Sequence, residues 1–227
     1  RGNGLGGDGV AENVKIMVLR AVPNGDEFDK DIALAVRYAV DNGAMVINMS
    51  FGKAYSPHQK EVYEAFKYAD EKGVLLIHAA GNDAKDIDIE PNYPTSMYSF
   101  QTEPLDHFVT IGASTKNKGA EMVASFSNFG AEGVDVFAPG FEIWNSVPQS
   151  EYMNLQGTSM AAPMVAGAAA MLKSYYPSLS MKEIKDALYS SSVKYPNVEG
   201  FAAKSVTGGV INIYNAAKVC KKLAKKK

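Results

Sequence analysis

The sequence predicts an α/β protein with a mostly parallel central sheet flanked by helices on both faces. Short, continuous apolar runs alternate with longer stretches whose apolar residues recur at helical spacing. Continuous rather than alternating strands are what a sheet buried on both faces requires. Two of the helical stretches stop at glycine, at Asn42-Gly43 and at Gly73, as helices commonly do. Of the 227 residues, 46% are hydrophobic and 21% charged, enough to build a sizeable core and too little charge for disorder.

Residues 14–20 (VKIMVLR) read as the first buried strand, followed by a turn at Pro23 and Gly25. Residues 29–41 place Ile32, Ala35, Val36 and Ala39 on one helical face. Residues 45–49 (MVINM) form the next strand. Residues 57–72 make a second amphipathic helix with Val62, Phe66 and Ala69 inward, and residues 74–78 (VLLIH) a third strand. Strand, helix, strand, helix, strand in this order argues for parallel pairing. Residues 83–107 are rich in Asp, Pro, Tyr and Ser and read as a long loop. Strands follow at 108–112 and 134–137, and a hairpin at 142–155 around Pro148. A helix apolar on all faces spans about 158–175, a shorter one 180–190, and a last one runs from Tyr214 onward.

Composition excludes several classes. One cysteine cannot build a disulfide framework, and no Cys/His cluster suggests zinc. The longest apolar stretch, residues 160–172, is too short for a membrane span and contains Pro163. The net charge is −2, yet six lysines and no acid fall in residues 218–227, leaving −8 on residues 1–217. A basic run without interleaved aromatics, on an otherwise acidic chain, reads as the solvated face of a terminal helix rather than a nucleic-acid site. The opening residues show no charged segment followed by an apolar one, hence no signal peptide. Gly2, Gly4 and Gly7 spell G-x-G-x-x-G, but a dinucleotide loop needs a strand before it and a helix opening within it. Here a strand follows, so the segment reads as a plain loop.

Two segments carry chemistry. In Gly157-Thr158-Ser159-Met160-Ala161-Ala162-Pro163 a serine stands at the start of the all-apolar helix. Thr158 or Ser159 as an ordinary N-cap is one reading. The other is a nucleophile at a helix N-terminus, where free N–H groups and the helix dipole favour developing negative charge. The strand at 74–78 runs into Ala79-Ala80-Gly81-Asn82. Small residues at the carboxyl end of a parallel strand leave room for a ligand. An asparagine amide there can donate to an oxyanion, or simply form a loop.

Together these segments resemble the subtilisin-like serine proteases, the subtilases. The residues 157–163 match the family's nucleophile motif throughout, and residues 79–82 match its oxyanion segment. Val46-Ile47-Asn48-Met49-Ser50-Phe51-Gly52 is similar to its substrate-binding strand, with Phe51 where leucine is commoner. The resemblance spans essentially the whole chain. It implies Ser159 as nucleophile and Asn82 as oxyanion donor. It further implies Ser50, Phe51 and Gly52 as a strand pairing with polypeptide substrate, and Ala79, Ala80 and Gly81 as a wall of the first specificity pocket.

The family order is Asp, His, Ser, and the first two motifs are absent. The three histidines are followed by Gln59, Ala79 and Phe108 rather than by Gly-Thr. The chain therefore reads as residues 1–227 of the C-terminal portion of a single peptidase domain, incomplete at its N-terminus and inactive by itself. Its expected partners are a missing segment or propeptide of the same protein and a polypeptide substrate, with no nucleic acid and no membrane span. A non-catalytic peptide-binding fragment is the alternative. No cofactor is expected, although calcium binding in the intact relatives would place Asn3, Leu5 and Gly7 near that ion. The resemblance implies a secreted, periplasmic or cell-surface protein. Asp83, after the oxyanion asparagine, would favour a basic residue before the scissile bond, or merely cap a turn.

Overall fold

The computed structural model describes residue 2 and residues 4–22 and 25–227. Its six-stranded sheet has the order β1-β2-β3-β4-β8-β7. The strands are β1 (Val46–Met49), β2 (Leu75–Ala79), β3 (Phe108–Ser114), β4 (Val136–Pro139), β7 (Val193–Lys194) and β8 (Gly209–Val210). All neighbouring pairs are parallel except β7 with β8. Strands β5 (Ile143–Val147) and β6 (Glu151–Leu155) make the expected hairpin apart from the sheet.

The pleat sends successive side chains to opposite faces. On β2, Leu75, Ile77 and Ala79 pack with helix α3 (Thr158–Tyr175). Leu76 joins Phe108 on the other face, against α1 (Asp29–Asp41) and α2 (Gln59–Glu71). Val62, Ala65, Phe66 and Ala69 supply the buried stripe of α2. Helix α3 is buried through Ala161, Ala162, Val165, Ala168, Ala169 and Leu172. Its small residues permit close approach: a Cβ on Gly167 would lie 2.9 Å from the Cβ of Val10.

Helix α4 (Met181–Ser190) starts with a capping box. Ser180 Oγ accepts from Glu183 N–H, and Glu183 accepts from Ser180 N–H in return. Helix α5 (Ile213–Ala224) is capped by Asn212 and buries Ala216 and Cys220, while all six terminal lysines are exposed. No helix among the described residues is long and apolar enough to cross a membrane.

Residues 14–20 correct the sequence reading. They form no strand, and Ile16 and Val18 are 83% and 85% exposed. Apolar residues become a strand only where a neighbour supplies ladder bonds and a face to bury, and β1 pairs only with β2 among the described residues. The glycine-rich opening is a loop, as expected, with Arg1 and Asn3 outside the described residues; Pro23 of the expected turn lies outside them too. The two-residue strands β7 and β8 were below what periodicity can register.

Candidate active site

Helix α3 begins beside the carboxyl ends of β1 and β2. Its N-cap is Gly157, not Thr158 or Ser159. A φ of 149° at this position favours glycine. Gly157 N–H donates to Gly140 O at 2.8 Å, and a Cβ on Gly140 would stand 2.7 Å from Gly157 O. Two glycines in contact thus seat the helix start against the end of β4.

Thr158 and Ser159 are then the first two helical residues, where backbone N–H groups lack intrahelical acceptors. Thr158 N–H donates to Asn82 Oδ1 at 2.8 Å. Met160 and Ala161 N–H both reach Gly157 O. Among the described residues, Ser159 N–H has no acceptor, so it stands free at the positive end of the helix.

The same contacts orient Asn82. Its Oδ1 also accepts from Thr158 Oγ1 at 3.1 Å, and Thr158 Oγ1 in turn accepts from Gly81 N–H at 3.1 Å. With both donors on the oxygen, the amide can only turn its Nδ2 outward. A Cβ on Gly157 would be 3.5 Å from Asn82 Nδ2 and 3.6 Å from Ser159 N, so the two donors flank one small region. Asn82 and Ser159, 77 positions apart in the chain, converge there.

Pro163 explains how Ser159 is held. Lacking an N–H, proline cannot donate to the carbonyl four residues earlier, which is Ser159 O. Ser50 Oγ takes that acceptor at 2.9 Å, and Ser159 Oγ donates back to Ser50 O at 3.2 Å. Asn48 Nδ2 donates to Ser50 Oγ in turn.

Residues 50–52 and 79–81 continue β1 and β2, whose register sets Met49 beside His78. Lys53 clamps the far end of the first segment. Its backbone exchanges hydrogen bonds with Tyr93, and its ammonium reaches Glu27 O at 2.6 Å and Asp29 Oδ1 at 2.8 Å. Burial alone would raise the Asp29 carboxyl. Hydrogen bonds from Lys53, His58 N–H and Ser56 outweigh it and hold the pKa below the usual value. Such a buried pair contributes more to geometry than to stability. Phe51 packs toward the α1–α2 cluster.

Asn128 shapes the second segment, and sequence reading missed it. It is 1% exposed. Its Nδ2 donates to Ala80 O, its N–H to Gly81 O, and its Oδ1 accepts from Asp83 and Lys85 N–H. Asp83 is exposed and its backbone serves this turn.

None of the three histidines is placed to serve Ser159. His58 is exposed at the start of α2. His107 precedes β3, at the opposite end of the sheet, with its Nδ1 3.0 Å from Asp70 Oδ1. His78 lies within β2, donates from Nε2 to Phe51 O at 2.9 Å, and burial lowers its pKa from 6.5 to about 4. It therefore supports the segment at residues 50–52 from behind as a neutral imidazole.

This gives a pH prediction. Unfolded His78 takes up a proton below about pH 6.5, whereas the folded form resists until about pH 4. Its contribution to stability is present above pH 6.5 and is lost as pH falls through that window, about 3 kcal/mol in all. Asp135 acts oppositely. Burial pushes its carboxyl up to about 6 against the hydrogen bond from Thr110 N–H, so its contribution is lost as pH rises toward 6. Subtracting the denaturation free energies of His78→Gln from those of the parent at each pH cancels Asp135. The difference should shift toward the variant by about 3 kcal/mol between pH 6.5 and 4; a flat difference would show that His78 is not buried neutral.

Of the residues the resemblance associates with calcium, Asn3 lies outside the described residues, and Leu5 and Gly7, which would offer backbone carbonyls, are exposed. No group of three or more His, Cys, Asp or Glu suited to a metal occurs among the described residues.

Comparison with known proteins shows the family to which the chain belongs. The Subtilase family profile matches residues 1–211. A thermophilic serine proteinase of Bacillus sp. (strain AK1) is 35% identical over 215 residues, 94% of this chain and 48% of the relative. Subtilisin DY of Bacillus licheniformis is 34% identical over 81% of this chain and 63% of its own length. The chain thus spans about half to two thirds of these relatives. Among solved structures, a protease from Pseudoalteromonas arctica PAMC 21717 superposes with a TM-score of 0.78 at 28% identity, covering 96% of this chain and 66% of that one. Prenylagaramide maturation protease gives 0.74 at 26% identity, covering 89% and 71%. The sheet order, the serine at the start of a buried helix and the profile match lead to one assignment: this chain belongs to the subtilase family.

Proposed function

We propose that the protein to which this chain belongs is a serine endopeptidase. Ser159 Oγ attacks the scissile carbonyl and forms an acyl-enzyme, which water then hydrolyses. Asn82 Nδ2 and Ser159 N–H stabilise the tetrahedral oxyanion. Ser50, Phe51 and Gly52 pair with the substrate backbone as an added strand, while Ala79, Ala80 and Gly81 line the pocket for the residue before the scissile bond. The observation that carries this reading is the pair of free donors, Asn82 Nδ2 and Ser159 N–H, flanking one region beside a serine hydroxyl.

The general base and the carboxylate that orients it belong, in this proposal, to a companion segment outside residues 1–227, whether covalently continuous or separately retained. Two features support it. Strand β1 is a sheet edge, and Val14, Ile16, Met17 and Val18 expose apolar surface among the described residues. An added strand would cover such surface. The family resemblance further implies export from the cytoplasm, which cell fractionation of the native protein would check.

Purified residues 1–227 should therefore bind peptide but cleave it only at the residual level of a protease lacking its triad, about 10³–10⁴ over the uncatalysed rate. Turnover comparable to an intact protease, abolished by Ser159→Ala, would refute the companion segment. It would mean that His58, His78 or His107 serves as base.

A further inference from the structure

The basic end of α5 takes no part in the cleft, and the fold gives it a definite position. Lys218, Lys221, Lys222, Lys225, Lys226 and Lys227 fall in the last ten residues without an acid, and all are exposed. Lys227 Nζ reaches Glu183 Oε2 at 2.7 Å and Ser178 O at 3.2 Å, which seats this end beside the loop joining α3 to α4. Helix α3 starts at Thr158 and Ser159, and its 18 residues run about 27 Å before that loop. The lysines therefore gather at the opposite end of the molecule from Ser159.

Four lysines elsewhere are matched to acids: Lys53 to Asp29, Lys85 to Glu90, Lys116 to Glu142 and Lys182 to Asp106. At the basic end, among the described residues, Lys227 alone has such a match, and Lys218 lies 4.0 Å from the centre of the Tyr214 ring. The ammonium groups of Lys221, Lys222, Lys225 and Lys226 have no partner among the described residues. Lys218 stands one helical turn from both Lys221 and Lys222, and like charges at that spacing oppose the helix. Cations in the last turn do complement the helix dipole, but that effect fades beyond it and leaves Lys218 unexplained. A dense external array of negative charge would relieve the repulsion.

We propose that this end of α5 docks on an anionic phospholipid surface as a peripheral electrostatic anchor. The lysines are gathered at one helix end, which a planar layer of head groups can meet together, whereas a nucleic-acid strand is held along a basic groove. Tyr175, 75% exposed, lies three residues before Ser178 and offers a ring with a polar tip, suited to head-group depth. Residues 1–217 carry −8, so the same surface repels the rest of the molecule. Attraction at one end and repulsion elsewhere turn the Ser159 end away from the bilayer. The anchor goes beyond the endopeptidase reading and does not depend on it.

The test is sedimentation of the complete native protein with lipid vesicles. It should bind phosphatidylcholine vesicles containing about 30% phosphatidylglycerol and not pure phosphatidylcholine, since each lysine near an anionic leaflet strengthens partitioning about five-fold. Binding should fall steeply as salt rises from about 0.1 to about 0.5 M. Lys221→Gln, Lys222→Gln, Lys225→Gln and Lys226→Gln combined should weaken it by about 10²–10³-fold. Lys60→Gln, Lys67→Gln, Lys116→Gln and Lys118→Gln combined remove as much charge from exposed positions elsewhere and should leave binding within about three-fold. Equal unfolding midpoints of the two variants keep loss of fold out of the comparison. No preference for the anionic vesicles, or an equal loss in both variants, overturns the proposal. Tighter binding of a DNA duplex than of the vesicles, through the same four lysines, overturns it as well and makes the partner a nucleic acid.

Discussion

Ser159→Ala in the complete enzyme is expected to lower kcat by about 10⁶-fold, with KM nearly unchanged. That magnitude was measured on subtilisin, a member of the same family, and is borrowed from it. The reason lies in the covalent step. Without Oγ no acyl-enzyme can form, and only the oxyanion donors and substrate positioning remain. The substitution keeps Ser159 O, so the bond from Ser50 Oγ and the helix start survive. Steady-state turnover of a chromogenic peptide, together with mass spectrometry for the acyl adduct, measures both. Activity within ten-fold of the parent, or an adduct on another residue, would remove Ser159 from the nucleophile's role.

Asn82→Ala should cost about 10²–10³ in kcat, again a value known from subtilisin itself. The side chain has two functions that one substitution does not separate. Its Oδ1 receives Thr158 N–H and Oγ1–H, and its Nδ2 is the outward donor. Asn82→Asp keeps the acceptor for Thr158 and removes the donor. If stabilisation of the oxyanion is the dominant function, the aspartate variant should be as slow as alanine or slower, because it sets a negative charge beside a developing one. An aspartate variant retaining most of kcat would assign Asn82 to positioning the helix start alone.

Elements whose signal is local were legible in the sequence. Residues 29–41 and 158–175 form the helices their periodicity and composition predict. Strands β2 and β3 are continuous apolar runs because both of their faces are covered. Residues 14–20 carry the same signal and fail, since an apolar run states what a segment can bury and not whether a neighbour is there to receive it. The choice between capping serine and nucleophile was likewise open in the motif alone. Gly157 as N-cap removes the first reading of Thr158 and Ser159.

By itself the sequence determined the α/β class, the family, and the short segments around Ser159, Asn82 and Ser50, because each is written in consecutive residues. Only the tertiary structure decided how they act on one another. The Pro163 ring is visible in the chain, but that it frees Ser159 O for Ser50 Oγ depends on bringing together residues 109 positions apart. The orientation of the Asn82 amide is set by Thr158, and the segment at Ala80 is held by Asn128 and Asn92, whose amides both donate to its carbonyl. Asn92 and Asn128 sit in irregular segments with no period to mark them. Their importance comes from which carbonyls and N–H groups they meet across the fold, and hydrogen bonds between distant segments leave no trace in local sequence.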